Sequence, residues 1–236
     1  RDVLKNGAGK PVVLVLDWHK ESDINDSGFA EAAADAMFAA IADLNTEMGG
    51  LLFQSPLQFI GHSRGTVVNS EIIQRLGTYY PTVTGIQMTT LDPHDFRQDS
   101  LGRVIDYADF HDPNVIRWSN VGFLDNYYQS VADAGGASFT PNGRSLENAD
   151  IQIQLDGRSG FTQDNYAGGP HSRVWQWYAG TMSDRKHLFG TKEKRPTAGS
   201  VRRCFFLASP REFEPYASDL FFASCSLAQL EQLGMG

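Results

Sequence analysis

Residues 56–76 read PLQFIGHSRGTVVNSEIIQRL, and this stretch decides which fold the chain is expected to adopt. A short apolar run, LQFI, precedes the pentapeptide GHSRG at 61–65, and a segment with helical character follows it. A serine on a sharp strand-to-helix turn, with glycines two residues before and two after, is typical of a nucleophile elbow. Gly61 and Gly65 suit that turn because a Cβ at either position would strike the neighbouring strand or helix.

The same turn gives Ser63 the surroundings that a nucleophile needs. A serine hydroxyl is a weak nucleophile until a base lies within hydrogen-bond reach, and it should stand exposed at the edge of the sheet. The turn also places Ser63 at a helix N-terminus, so the backbone N–H of Arg64 is expected to point toward a developing oxyanion. The pattern therefore predicts Ser63 as a catalytic nucleophile and Arg64 as an oxyanion-hole donor.

Length and composition exclude several classes of protein. At 236 residues the chain suits one domain, or one domain with an appendage, and its hydrophobic fraction of 41% is enough for a core. The formal net charge of −8 disfavours a nucleic-acid partner, because such partners usually require a basic surface. No apolar run is long enough to span a bilayer, so stable membrane insertion is not expected.

Apolar runs and helical patterns alternate through the first half of the chain. PVVLVLDW at 11–18 is an unbroken apolar run, as is usual for strands buried on both faces of a parallel sheet. Further strands are predicted for LQFI, for 84–93 and for 114–121. Between the first two strands, a helix that stops at Gly49 and Gly50 is predicted from apolar residues at helical spacing: Met37, Ile41, Leu44 and Met48. This alternation predicts an α/β fold with a mostly parallel sheet and helices on both faces.

The later segments have a different texture. Residues 135–170 are rich in Gly, Asn, Asp and Ser and are predicted to form long loops. Beyond residue 182 the chain becomes basic and then rich in phenylalanine, without a clear period. We therefore assign a core at 1–182 and a tail of unclear structure at 183–236, which either docks on the core or is foreign to it. Cys204 and Cys225 could pair or could be two buried thiols.

A serine elbow in an α/β fold needs an acid and then a histidine, in that chain order. His94 and His111 come too early to follow the last strand, and His187 lies in the basic segment where the fold signal has faded. His171, in GGPHSRVWQWYAG, follows a glycine-rich stretch that could deliver an imidazole over Ser63 as a flexible loop. We therefore predict His171 as the catalytic base.

Two aspartates are candidates for the acid. Asp92 ends the third predicted strand, in MTTLDP, and Asp125 lies just past the fourth, in FLDNYYQ. The usual place for this acid in the fold is after the strand that Asp125 follows. Spacing alone does not choose between them.

These motifs together resemble an α/β-hydrolase of the lipase/esterase kind, within the pancreatic-lipase-type group. That group has a strand ending in Asp-Trp, a helix, GHS-x-G, and a strand ending in LDP, which correspond here to 17–18, 61–65 and 91–93. The chain is also similar to uncharacterised bacterial hydrolases that carry TTLDPH, DNYYQ and HS-x-V-x-x-WY-x-GT. The resemblance covers roughly residues 12–182. It implies that Asp92, rather than Asp125, is the catalytic acid.

The chain departs from this family at its start. The second oxyanion donor normally comes from a loop after an earlier strand, often marked by His-Gly, and no such motif occurs near Arg1. We therefore expect the first strands of the fold, and half of the oxyanion hole, to be missing, as in a fragment. The tail at 183–236 has no counterpart in the family that we recognise.

The resemblance implies a serine hydrolase that cleaves carboxylic esters, small or lipid, without a metal or an organic cofactor. The same triad would also serve an amidase or a thioesterase, and a non-catalytic binding protein that keeps the fold is a further alternative. An acyl pocket could be lined by a set of aromatic residues, although such residues more often belong to the core: Trp118, Phe123, Tyr127 and Tyr128. A secreted or periplasmic location is favoured over a cytoplasmic one, and the oligomeric state is left open.

Overall fold

A computed structural model describes residues 11–16, 18, 28–95, 112–130, 143–158, 161, 169–182 and 221–226. The strands are β1 (Pro11–Leu16), β2 (Gln58–His62), β3 (Ile86–Leu91), β4 (Val121–Tyr128), β5 (Ile151–Gln154) and β6 (Phe221–Ser226). The helices are α1 (Phe29–Glu47), α2 (Leu51–Gln54), α3 (Gly65–Tyr79) and α4 (Gly169–Met182). Helices and strands alternate through most of this order, as the sequence predicts for an α/β fold.

The six strands form one sheet in the order β1-β6-β2-β3-β4-β5. Strands β2, β3, β4 and β5 are parallel to one another, whereas β6 runs antiparallel to both β1 and β2. The carboxyl ends of β2, β3, β4 and β5 therefore meet along one edge of the sheet. This edge is where functional groups collect in open parallel sheets.

Helices cover both faces of the sheet. On one face, α1, α2 and α3 enclose a core that includes Ile41, Ile72 and Phe59. On the other face, α4 packs Val174 and Trp177 over β2, β3 and β5. In strands, successive side chains point to opposite faces, which is why the adjacent residues Phe59 and Ile60 belong to different cores. The predicted layering of helices on both faces of a mostly parallel sheet is confirmed among the described residues.

The first elements lie where the sequence predicts them. The apolar run at 11–18 contributes β1, and the helical pattern contributes α1, which ends just before Gly49 and Gly50. Both glycines have positive φ values, 61° and 88°, which glycine adopts at little steric cost. Strands β2 and β3 likewise fall within or beside their predicted segments.

The prediction of a strand at 114–121 is wrong, because the fourth strand runs from Val121 to Tyr128. The apolar residues before it are held in a loop by side-chain hydrogen bonds instead of a ladder. The Val115 N–H donates to Asp95 Oδ2 (2.9 Å), and Trp118 Nε1–H donates to Ser70 Oγ (3.0 Å). Asp125 therefore lies inside β4, not past its end as predicted.

The prediction of uninterrupted loops over 135–170 is also incomplete. Strand β5 (Ile151–Gln154) pairs with β4 in parallel, and α4 begins at Gly169. The short strand escapes a pattern search because apolar and polar residues alternate over only four positions.

The tail at 183–236, for which no element was predicted, contributes β6. This strand inserts between β1 and β2 and runs antiparallel to both. Cys204, His111 and His187 lie outside the described residues, and so does any pairing of the two cysteines. In the described part of the chain, no helix has the length and apolar character needed to cross a membrane.

Candidate active site

Ser63 occupies a strained turn between β2 and α3. Its φ of 56° lies in the left-handed region, which costs a non-glycine residue on the order of 1–3 kcal/mol. A Cβ on Gly61 would lie 2.6 Å from the carbonyl oxygen of Gly65 and 2.7 Å from Asn69 Nδ2. Gly61 is therefore required by the close packing of β2 against α3, as the elbow motif predicts for this position.

Asp92 occupies an equivalent position one strand away. It follows β3 as Ser63 follows β2, and its φ of 51° is also left-handed. The two turns are tied to their neighbouring strands, because the Ser63 N–H donates to the carbonyl of Leu91 (3.0 Å) and the Asp92 N–H to that of Tyr127 (2.7 Å). Two strained non-glycine residues thus stand side by side at the carboxyl edge of the sheet.

His171 bridges Ser63 and Asp92. Its Nε2 lies 2.8 Å from Ser63 Oγ, and its Nδ1 lies 2.6 Å from Asp92 Oδ2. The carboxylate accepts from Nδ1–H, which leaves Nε2 to accept the serine hydroxyl proton. The structure therefore brings together the three residues predicted from sequence, in the order that a Ser-His-Asp triad uses.

The support for His171 differs from the prediction. We expected a flexible loop, but His171 is the third residue of α4, in the first turn of a helix of 14 residues. Its backbone carbonyl accepts a hydrogen bond from His62 Nε2–H (3.0 Å), which ties this turn to the end of β2. The imidazole is therefore held by a regular element and by its neighbouring strand.

Two further histidines surround His171. The ring centroid of His62 lies 4.4 Å from that of His171, and the ring centroid of His94 lies 6.1 Å away. The His94 N–H donates to the Ser63 carbonyl (3.4 Å). Sequence reasoning gave neither residue a role, although each stands next to a triad motif, in GHS and in LDPH.

Asp92 is fully buried and is held by the residue that follows β4. The Gln129 N–H donates to Asp92 Oδ1 (2.9 Å), and Gln129 Nε2–H donates to Asp92 Oδ2 (2.9 Å). Burial raises the pKa of Asp92 to about 7, while the two bonds from Gln129 and the charges of His62 and His94 lower it. The backbone of Gly143 closes over the other side, since a Cβ there would lie 1.7 Å from Asp92 Oδ1.

Ser63 is less accessible than the sequence suggested. The elbow was expected to expose its hydroxyl, but only 6% of the residue is exposed. The neighbouring His62 is 2% exposed and the side chain of His171 14% exposed. Ser63 and the two histidines beside it are therefore largely buried.

Arg64 is held in place immediately after Ser63 in the chain. Its guanidinium forms two bonds with the Asp112 carboxylate, from Nε (2.7 Å) and Nη2 (3.0 Å), and lies 5.6 Å from the ring centroid of Trp18. Arg64 is the N-cap of α3, and its carbonyl accepts from the N–H groups of Val67 and Val68. Arg64 therefore connects the turn at Ser63 to the first turn of α3. An oxyanion-hole role for its N–H stays a prediction.

Asp125, the alternative acid, lies in a different environment. It pairs with Thr89 in the middle of the sheet, and its Oδ1 accepts the Thr89 hydroxyl (2.7 Å). Asp92 comes three residues after Thr89, just past the end of β3. At 3.3 Å per residue, it lies about 10 Å further along the direction of the strand. Of the two candidates, the structure places Asp92 against His171.

The four aromatic residues suggested for an acyl pocket do not form one group. Trp118 precedes β4 and packs against the core on the face of the sheet that α1, α2 and α3 cover. Tyr127, at the other end of β4, contacts the rings of Trp177 and Tyr178 of α4 in tilted arrangements, and the Tyr128 hydroxyl donates to Gln154 Oε1 (3.3 Å). Of these, only Tyr127 and Tyr128 lie near the edge that carries Ser63. Within the described residues, no group of three or more His, Cys, Asp or Glu side chains could hold a metal ion.

Comparisons with protein-family models, with curated proteins and with solved structures found no match to this chain. Any functional conclusion must therefore come from the site itself.

Proposed function

We propose that this protein is a serine hydrolase with an α/β-hydrolase fold, and that it cleaves carboxylic esters. The observation that carries the proposal is the continuous hydrogen-bonded series from Ser63 Oγ through the His171 ring to Asp92, with links of 2.8 Å and 2.6 Å. Three side chains from three elements meet in this order at the carboxyl edge of a parallel sheet. The two left-handed turns that hold Ser63 and Asp92 support it further, because strained backbone of this kind clusters at active sites.

The mechanism follows from the positions of the protons. His171 Nε2 accepts the proton of Ser63 Oγ as the oxygen attacks the ester carbonyl, and it returns that proton to the leaving alcohol. Asp92 holds the imidazole in the Nδ1–H tautomer and stabilises the imidazolium. The backbone N–H of Arg64, at the start of α3, is the proposed donor to the oxyanion. A water molecule then releases the acyl group by the same steps in reverse order.

The buried acid sets the pH at which this proposed machinery works. Asp92 must be ionised and His171 neutral for proton abstraction. Since burial raises the pKa of Asp92 to about 7, ester turnover should fall as the pH drops through that region. Because the acid and the imidazole are in contact, the fall belongs to the pair and not to either residue alone.

Turnover of a short-chain nitrophenyl ester tests the proposal directly. Ser63→Ala removes the nucleophile and should reduce turnover by about 10⁶-fold, as loss of a triad serine does. Ser70→Ala is the matched control, because Ser70 is a second buried serine, in α3, and the two hydrogen bonds that its hydroxyl accepts come from outside the triad. Its hydroxyl accepts from Trp118 Nε1–H, so its loss should lower stability but spare turnover.

Labelling with a fluorophosphonate adds a readout that does not depend on the choice of ester. Wild type and Ser70→Ala should both react, and Ser63→Ala should not. Turnover that is equal in wild type and Ser63→Ala would contradict the proposal. Parallel assays with a thioester and an anilide of the same acyl group distinguish an esterase from a thioesterase or an amidase, which use the same triad.

The enclosure of Ser63 is the observation that favours the alternative, a non-catalytic binding protein with a hydrolase fold. At 6% exposure, the serine presents little surface to an ester. A chain that neither reacts with the fluorophosphonate nor turns over any of the three substrates would favour this alternative.

A further inference from the structure

Gln129 makes contacts with Asp92 that go beyond what packing requires. It follows β4 directly, as Asp92 follows β3, and the parallel register, with Leu91 opposite Tyr127, brings Gln129 to within one residue of the position opposite Asp92. The backbone N–H of Gln129 binds one oxygen of the carboxylate and its side-chain amide binds the other, each at 2.9 Å. Only 1% of Gln129 is exposed.

The two bonds constrain the acid in a way that one bond could not. Without the side-chain amide, His171 itself would be the donor left on Oδ2, whereas the two bonds from Gln129 fix the plane of the carboxylate independently of the imidazole. Asp92 Oδ2 then has a defined direction in which to accept His171 Nδ1–H, at 2.6 Å. Hydrogen bonds to the charged form also favour ionisation, so the same contacts oppose the cost of burying this carboxylate.

We propose that Gln129 is a positioning residue for the triad, because it clamps both oxygens of Asp92 and thereby fixes the acid that orients His171. This inference rests on the proposed function of the site. Gln129 acts through Asp92 and does not touch the reacting atoms. Its side-chain amide keeps the acid ionised and aligned at neutral pH.

Gln129→Met tests the proposal, because methionine is unbranched and of similar length but lacks the amide donor. The backbone donor to Oδ1 remains. Loss of one hydrogen bond to a buried charge should move the acid limb of the pH–rate profile upward by about one to two pH units. Ester turnover should therefore fall by about tenfold or more at pH 6.5 and recover at pH 9.

Gln154→Met is the matched control on the neighbouring strand. Gln154 also donates its side-chain amide to a carboxylate, Asp156 Oδ2, at 2.8 Å, but this pair is exposed and outside the triad. Its pH–rate profile should superimpose on that of wild type. A purely structural role for Gln129 would lower stability or turnover at every pH and leave the acid limb unmoved, and that result would overturn the proposal.

Gln129→Glu provides a second variant of the same shape. Two buried carboxyl groups in contact share one proton at neutral pH. The introduced carboxyl can therefore donate to Asp92 only while it carries that proton. We expect near-neutral turnover between those of wild type and Gln129→Met, followed by a loss at high pH that wild type does not show. If Gln129→Met fails to fold, a Gln129→Glu profile identical to that of wild type would equally overturn the proposal.

A readout without turnover separates this inference from the proposed function. The ring nitrogens of ¹⁵N-labelled His171 report how much of the proton shared with Asp92 resides on the imidazole. In Gln129→Met, a more basic Asp92 keeps more of that proton, so the imidazolium signal should appear at lower pH than in wild type. If this shift occurs in a protein without esterase activity, the clamp stands and the proposed function fails. If esters are cleaved but neither profile moves, the clamp fails alone.

Discussion

Asp92 and Asp125 are buried carboxylates on neighbouring parallel strands, yet their surroundings differ in kind. Asp92 lies just past the end of β3, on strained backbone, and contacts an imidazole and a glutamine. Asp125 lies inside β4, on regular backbone, and accepts a threonine hydroxyl from the strand beside it. Both have a raised pKa because of burial.

The difference shows that position along a strand separates these residues better than burial does. Inside a sheet, a side chain can reach only its cross-strand neighbours and the layer above it. Past the carboxyl end, the backbone is free to turn, and side chains from adjacent strands and from an incoming helix can converge. A raised pKa alone would have nominated both aspartates as functional.

Among the changes that compare Asp92 with Asp125, the largest expected effect comes from removing the negative charge of Asp92 at the carboxyl edge of the sheet. Asp92→Asn should lower ester turnover by about 10⁴-fold, as the equivalent change does in serine proteases, because the asparagine no longer holds the Nδ1–H tautomer of His171. Fluorophosphonate labelling should slow in parallel. Asp125→Asn is the matched control, since it removes a buried charge about 10 Å away. If Asp125→Asn abolishes turnover while Asp92→Asn spares it, the assignment of the acid is reversed.

A smaller effect is expected from displacing the acid without altering its charge. A methyl group at position 143 would lie 1.7 Å from Asp92 Oδ1, so in Gly143→Ala either the backbone or the carboxylate must move. A displacement of about 1 Å in a catalytic group can cost on the order of 10²-fold in turnover. Gly157→Ala is the control, because a Cβ there meets nothing within 4 Å. Equal turnover in the two variants would show that Asp92 tolerates the shift.

Much of the first half of the fold was predictable because the sequence pattern of each element there agrees with its place in the fold. Residues that are close together in sequence were enough to predict the apolar run of β1, the helical spacing of α1 and the glycines of the elbow. Strand β4 was misplaced because its centre carries Asp125 and Asn126, which are polar yet buried. Their partners, Thr89 and Thr90, lie on β3, and a single sequence does not reveal that pairing.

Some residues of the candidate site could likewise be predicted from the local sequence, and others could not. Ser63 was predictable from its own pentapeptide, and His171 from chain order and elimination. Asp92 required the family resemblance, since spacing left Asp125 open. Gln129 lay within a motif that had been noticed but had no assigned role, because its contact with Asp92 exists only through the register of β3 and β4. The same is true of Gly143, which approaches Asp92 from a loop far away in sequence.

The smallest effect is expected at Asp125, and it concerns stability more than turnover. Burial raises the pKa of Asp125 above its ordinary value, against the hydrogen bonds from Thr89 and Gln87. A group whose pKa is higher in the folded state binds more protons there, so its contribution to the free energy of unfolding falls as the pH rises through that pKa. Asp125→Asn removes this ionisation but keeps an oxygen that can accept from Thr89.

Urea unfolding of wild type and Asp125→Asn at pH 4 and pH 8 measures this contribution. The variant should lose less stability than wild type between the two pH values. Turnover at pH 8 should stay within about twofold, since sites about 10 Å apart rarely couple by more than roughly 0.5 kcal/mol. A variant that loses as much stability as wild type would mean that Asp125 does not ionise in this interval. A variant that loses turnover as well would mean that the middle of the sheet and its catalytic edge are coupled through β3.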